Sequence, residues 1–223
     1  MSAATTHTSN GRTDGVNEEL KRYIEAEILP RYEAFDQAHQ RGHADDVIRN
    51  SLYLAQFYPT DLNMVYVIAA FHDTGLTGGR KTHHLLSGEI VRSDEVLPRF
   101  FTASQIETMA QAVEDHRASS EQAPRSVYGK IVAEADRNIS TETIVTRALQ
   151  YGLDHYPIYN KEEHYQRFLQ HMHEKYDYGG YLKLWIPESP NAARLEEFRQ
   201  ILRDETRTKT LFEVIWKCLQ EHP

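Results

Sequence analysis

The run Ala69-Ala70-Phe71-His72-Asp73-Thr74-Gly75 sets a histidine and a carboxylate side by side at the end of an apolar stretch. Burying that pair is costly unless something compensates it, and a divalent metal ion is the simplest partner, since imidazole and carboxylate are both standard ligands. Four further side chains of the same chemistry stand beside apolar, core-type neighbours: His43, His83, His116 and Asp136. Any one of these histidines alone would read as a hydrogen-bonded core residue, and Asp136 alone as a cap or an ion-pair partner of Arg137. Taken together they read as a set of ligands.

The elements that must bring them together are helical almost throughout. Leu20, Tyr23, Ile24 and Ile28 fall at helical spacing, with Pro30 near the end of that segment or at a kink. Gly42 and His43 open a second helix with Val47, Ile48, Ser51, Leu52 and Ala55 on its apolar face. Thr60 or Asp61 is placed to cap a third, over residues 62–73, which is apolar on nearly every side and therefore central to the core. A glycine-containing loop over residues 74–82 carries Arg80 and Lys81, and Thr82 or His83 starts the next helix. Ser104-Gln105-Ile106-Glu107 has the form of a capping box, opening a helix that ends at His116. Another runs from about Ser126 through Asp136. From residue 141 on the chain is again mostly helical and richer in aromatic residues; without Pro or Gly, residues 191–219 read as one long helix or a helix pair. No alternating strand pattern persists, so the expected fold class is all-α. Residues 1–16 read as a disordered tail and 17–223 as a single domain, its metal-binding core at about 35–140 and a helical extension at 141–223.

Bulk properties narrow the function. The chain has 223 residues, a net charge of −8 and no long basic run, which argues against nucleic acid or anionic membrane as the main partner. Its one cysteine, Cys218, rules out an intrachain disulfide and a thiolate metal site. No stretch approaches a membrane span, and the polar start lacks the apolar centre of a secretory signal; the expected location is the cytoplasm. A phosphorylated small substrate needs only a local cluster of Arg and Lys. The residues rich in Tyr and Trp (Tyr151, Tyr156, Tyr159, Tyr165, Tyr176, Tyr178, Tyr181, Trp185) read as core or dimer contact, with a substrate-pocket wall or lid as the alternative. His164, His171 and His173 lie on a polar, charged segment and read as surface imidazoles.

The order His43, His72-Asp73, Asp136 resembles the signature of the HD-domain superfamily of metal-dependent phosphohydrolases. The match extends to Ala133-Glu134-Ala135-Asp136-Arg137, to His83 followed four residues later by Ser87, and to Glu114-Asp115-His116. It covers roughly residues 35–140 and implies an HD-type helical bundle. Position 76 departs from several branches. Leu76 stands where HD-type 5′-nucleotidases place Glu and where cyclic-di-GMP phosphodiesterases place Lys, and Leu76-Thr77-Gly78 replaces the Glu-Asp pair of (p)ppGpp hydrolases.

The resemblance implies metal ligation by His43, His72, Asp73 and Asp136. If His83 and His116 also point inward, a second ion follows, with Asp73 as the bridge; His84 is the rival to His83. Such an N/O set suits Mn, Fe, Co, Ni or Zn, and Mg less well. The expected activity is hydrolysis of a nucleotide or other small phosphoester by a metal-activated water. Asp73, His83 and His116 are the candidate catalytic residues, the two histidines protonating the leaving oxygen where they are not ligands. Arg49, Arg80 and Lys81 are the candidate phosphate contacts. Two alternatives accompany this reading. One is an HD-type mixed-valent di-iron oxygenase cleaving a C–C or C–P bond, and the other a non-catalytic metal- or nucleotide-binding regulatory protein.

Overall fold

The computed structural model describes residues 15–35, 40–120, 122–137, 139–156 and 160–221. Of the expected tail at 1–16, residues 1–14 lie outside the described residues, as does Tyr159, whereas Val16 is no tail residue: its apolar side chain is buried in the first hydrophobic cluster. Asn17 caps α1 (Glu18–Tyr23) by accepting from the backbone N–H of Glu19 and Leu20. The chain then passes through one π-helical turn (Ile24–Ile28) into a 3₁₀ turn (Leu29–Ala34). Pro30 sits at the start of that turn, where its missing N–H is tolerated. The tighter winding brings Tyr32, fully buried, into the core.

Next come α2 (Arg41–Ala55) and α3 (Leu62–Phe71), the latter capped by the Asp61 carboxylate. Every α3 residue from Met64 to Phe71 is buried, as its all-round apolar character requires. Around it stand α2, α5 (Ala103–Glu114) and α6 (Val127–Asp136), and α4 (His83–Ser93) packs along α5. The capping box of α5 is real but begins two residues earlier than the sequence suggests. Thr102 accepts from the Gln105 N–H, and the Gln105 side chain accepts from the Thr102 N–H. Glu107 is thereby left for Arg92, which grips it through two nitrogens and also reaches Glu114.

A second hydrophobic cluster forms between α7 (Thr141–His155), α8 (Lys161–Tyr176), α9 (Asn191–Arg203) and α10 (Glu205–Glu221), around Leu149, Phe168, Met172, Phe198 and Phe212. The terminal segment is a helix pair, broken at Asp204, whose carboxylate accepts from the Arg207 N–H. His164 departs from expectation: only 2 % exposed, it packs 5.0 Å from the Trp216 ring. His173 is exposed and paired with Asp177. Among the described residues there are helices and no strand, so the fold class is all-α, and no helix is long and apolar enough to cross a membrane.

One buried carboxylate fastens the two clusters. Glu134 on α6, with no exposed surface, accepts from the Trp185 backbone N–H at 2.7 Å and from Asn191 Nδ2 at 2.9 Å. Asn191 Nδ2 also reaches the Glu134 carbonyl at 3.0 Å, and Ile186 packs in the first cluster. Glu134→Ala would remove the acceptor of the Trp185 N–H and one of the two acceptors of Asn191 Nδ2, a cost of about 1–3 kcal/mol. A lowered midpoint in urea denaturation is the expected result, and an unchanged midpoint would show that the contact adds nothing.

Candidate metal centre

The C-terminus of α3 is buried, so its last carbonyl groups need partners where water is scarce. Site side chains supply them. His72 Nδ1 meets the Ala69 carbonyl at 2.8 Å, the Tyr32 hydroxyl donates to Ala70 O at 2.9 Å, and Thr74 Oγ1 donates to Phe71 O at 2.8 Å. The Tyr32 oxygen also accepts from the Asp73 N–H at 3.2 Å. Asp73 has left the helix (φ −109°, ψ 5°), and this turn aims its carboxylate across the bundle.

Each Asp73 oxygen faces a different group. Oδ2 lies 3.3 Å from His72 Nε2 and 3.7 Å from His43 Nε2, and Asp136 Oδ1 stands 3.1 Å from His43 Nε2. Oδ1 lies 3.3 Å from His83 Nε2 and 3.4 Å from His116 Nε2. His43, His72 and Asp73 form one cluster able to hold a metal ion, and Asp73, His83 and His116 form another. His84 turns away, and burial together with Arg117 pushes its pKa down to about 4.

His83 reaches Asp73 because Gly75 lets α4 approach. The Gly75 N–H donates to Ser87 Oγ at 2.8 Å. A Cβ at position 75 would lie 2.3 Å from the His83 carbonyl oxygen and 2.6 Å from the Ser87 nitrogen, both of them backbone atoms. Glycine is therefore required there.

The donor set fits a metal on physical grounds. Carbonyl oxygens only accept, so the 2.8 Å contact of His83 Nδ1 with Arg80 O and the 2.6 Å contact of His116 Nδ1 with Val113 O assign the proton of each ring to Nδ1. Their Nε2 lone pairs then confront each other across 3.0 Å, and the Nε2 atoms of His72 and His43 lie 3.2 Å apart, that of His43 also against Asp136 Oδ1. Only a positive charge relieves such a confrontation, and backbone-fixed imidazoles are how proteins orient metal ligands. The carboxylates favour positive charge in the site. Burial disfavours a charged His72, yet Asp73 and Asp136 pull its pKa up to about 9. Burial would likewise raise Asp73, but His72, His116 and His83 hold it well below the usual carboxylate range, and His43 does the same for Asp136.

His43 and Asp136 line a cavity of about 590 Å³ together with Arg80, and Asp73, His83, His116 and Asp136 line an adjoining one of about 490 Å³ that shares Arg80 and His171 with it. Of the expected phosphate contacts, Arg80 is on that wall. Lys81 is exposed, and its carbonyl accepts from Arg117. Arg49 is paired with Asp46 and lines a further cavity of about 250 Å³ that shares His43, Asp136 and Arg137 with the largest one. Sequence reading missed Tyr32 and also Arg137, Arg147, Arg167, His171 and Lys175 on the larger wall. A signal existed for these last. Thr143, Ile144, Arg147, Ala148 and Tyr151 fall on one face of α7, and Arg167, Gln170, His171, Glu174 and Lys175 on one face of α8. His171 accordingly faces the cavity, half-buried, and Tyr151, Tyr156 and Tyr176 join the wall.

Residues 41–138 match the family model of the HD domain. This stretch is an HD domain. All six converging side chains lie inside it, whereas Arg147, Arg167, His171 and Lys175 lie beyond it. Among solved structures, the chain is similar to a predicted HD superfamily hydrolase from an uncultured Thermotogales bacterium, at 24 % identity and a TM-score of 0.45, over 67 % of this chain and 83 % of that one. Curated proteins show no significant match.

A carboxylate shared between two ligand groups predicts an unequal response to mutation. The intact chain should take up two divalent ions, His116→Ala one, and Asp73→Ala none, measured as metal per chain after gel filtration. Equal content in the two variants would sink the sharing. Tyr32→Phe, which frees the Asp73 N–H and the Ala70 carbonyl, should weaken metal binding about tenfold in a competition titration.

Proposed function

We propose that the chain is a metal-dependent phosphohydrolase acting on a small phosphoester, a nucleotide or a molecule of similar size. The observation that carries this is the joint placement of the Asp73-centred ligand groups and a cation-lined cavity, with Arg80, His43 and Asp136 on the wall they share. The imidazole-rich donors suit Mn, Fe, Co, Ni or Zn better than Mg. When bound, such ions supply Lewis-acid polarisation of a phosphoryl oxygen and lower the pKa of water.

The chain's own residues do the rest. Backbone carbonyls hold the protons of His72, His83 and His116 at Nδ1, so that each Nε2 faces inward. Tyr32 fixes the backbone from which Asp73 projects. The Arg80 guanidinium, on the wall shared with His43 and Asp136, offers planar, paired donors that match phosphate oxygens. Released phosphate, followed across nucleoside monophosphates and p-nitrophenyl phosphate, is the test. Activity should vanish on chelation and return with Mn. Asp73→Ala should lose more than about a thousandfold, the scale of several kcal/mol of charge stabilisation. No phosphate release from any metal-loaded preparation would refute the proposal.

One feature favours a second reading. Two ligand groups sharing a single carboxylate also match what the resemblance implies for the di-iron oxygenases of this fold. A half-integer-spin EPR signal from anaerobically purified, partly oxidised protein, without phosphatase activity, would decide for it.

A further inference from the structure

The helices beyond the HD domain place three cationic side chains on the cavity wall, none of them among the six that converge at the metal centre. Arg147 on α7 and Arg167 and Lys175 on α8 join Arg80 and Arg137 on the wall of the 590 Å³ cavity, against only two carboxylates, Asp136 and Glu174. In a chain of net charge −8 this concentration of cations runs against the overall balance. Two of the guanidinium groups are built into place. Arg167 donates from Nη2 to the Ala148 carbonyl at 2.6 Å and lies 5.1 Å from the Tyr156 ring. It occupies a notch that only glycine leaves open, since a Cβ on Gly152 would lie 2.3 Å from Nη2. Arg137 is 7 % exposed and donates to the Ala133 carbonyl. The Nε of both arginines is buried without a hydrogen-bond partner among the described residues. Buried charged donors left unmade are expensive, and an incoming anion is what completes them. Lys175 shows the same crowding: burial pushes its pKa down, Asp136 opposes this, and Arg137, Arg147 and Arg80 push it down further.

We infer that the substrate carries a second phosphate besides the one hydrolysed, and that Arg147, Arg167 and Lys175 bind it. This rests on the phosphohydrolase reading for the first phosphate; the second site is a binding property of α7 and α8 alone. The volume suits a nucleotide-sized ligand. The two phosphates of such a molecule are either adjacent, as in a diphosphate, or on separate positions of the organic part.

Binding to the metal-depleted full chain separates this inference from the hydrolysis reading. Calorimetric titration with AMP, ADP and adenosine 3′,5′-bisphosphate should show one of the two-phosphate ligands bound about ten- to a hundredfold more tightly than AMP, the scale of one or two charge-assisted hydrogen bonds. ADP as the tighter ligand indicates adjacent phosphates, and the bisphosphate separated ones. Arg147→Gln with Arg167→Gln should remove that preference while AMP affinity changes little, and Lys175→Gln, which leaves Gly152 and its notch untouched, should reduce it alone. Melting temperature and metal uptake of each variant identify any that fail to fold. AMP binding as tightly as both two-phosphate ligands would overturn the inference even if phosphatase activity is found, as would a preference unchanged in folded variants. A preference without any hydrolysis would leave it standing and remove the phosphohydrolase reading instead.

Discussion

Two pairs of imidazole nitrogens, one pair 3.2 Å apart and the other 3.0 Å, set the terms for the rest of the protein. Three of the four rings place their Nδ1 against a carbonyl three residues earlier in the chain, which turns each Nε2 inward. For His72 and His116 that carbonyl lies in the last turn of a helix, so the local bond costs little. A cation relieves the confrontation of the His83 and His116 nitrogens, and the Asp73 carboxylate, with an oxygen on each pair, gives it a countercharge.

The surrounding fold serves to keep this arrangement from relaxing. An apolar α3 can end inside the core only because Tyr32, His72 and Thr74 take over its terminal carbonyls. Gly75 then lets the start of α4 press against the turn, and α5 and α6 deliver His116 and Asp136 from their C-terminal ends. Every ligand thus stands at or near a helix terminus, where one residue of backbone turn redirects a side chain by a large angle. The negative ends of the α3, α5 and α6 dipoles point toward the site, which adds to its preference for cations, whereas His43 and His83 enter from the N-terminal ends of α2 and α4.

Much of this was legible in the sequence, and the parts that were not share a cause. His43, His72, Asp73, His83, His116 and Asp136 could be picked out because imidazole and carboxylate are rare next to apolar runs. The choice of His83 over His84 followed from its spacing to Ser87, and the structure brings His83 to Asp73. Tyr32 could not be found, because a tyrosine among apolar residues looks like core until its hydroxyl is seen bridging Ala70 and Asp73. The cavity wall was missed for the opposite reason. Arg147, Arg167, His171 and Lys175 sit in a stretch so polar that each reads as solvated, and only the packing of α7 against α8 shows that their shared stripes face inward. Arg49 lines the smallest cavity with His43 and Asp136, paired with Asp46, and Lys81 is exposed on the loop before α4. The capping box at α5 was displaced because Ser104 and Thr102 both open a suitable pattern, and tertiary pairing of Glu107 with Arg92 decided between them.

The sharing of Asp73 has a further consequence for how the site comes into being. One ligand group draws its members from α3, α4 and α5, which follow each other along the chain. The other draws on α2 and α3 alone, and α6 adds the Asp136 carboxylate against His43. A chain folded through α5 thus already holds both three-membered groups. The last of the six side chains to be made is Asp136, which also stands on the cavity wall, so the site is finished on the side from which it is entered.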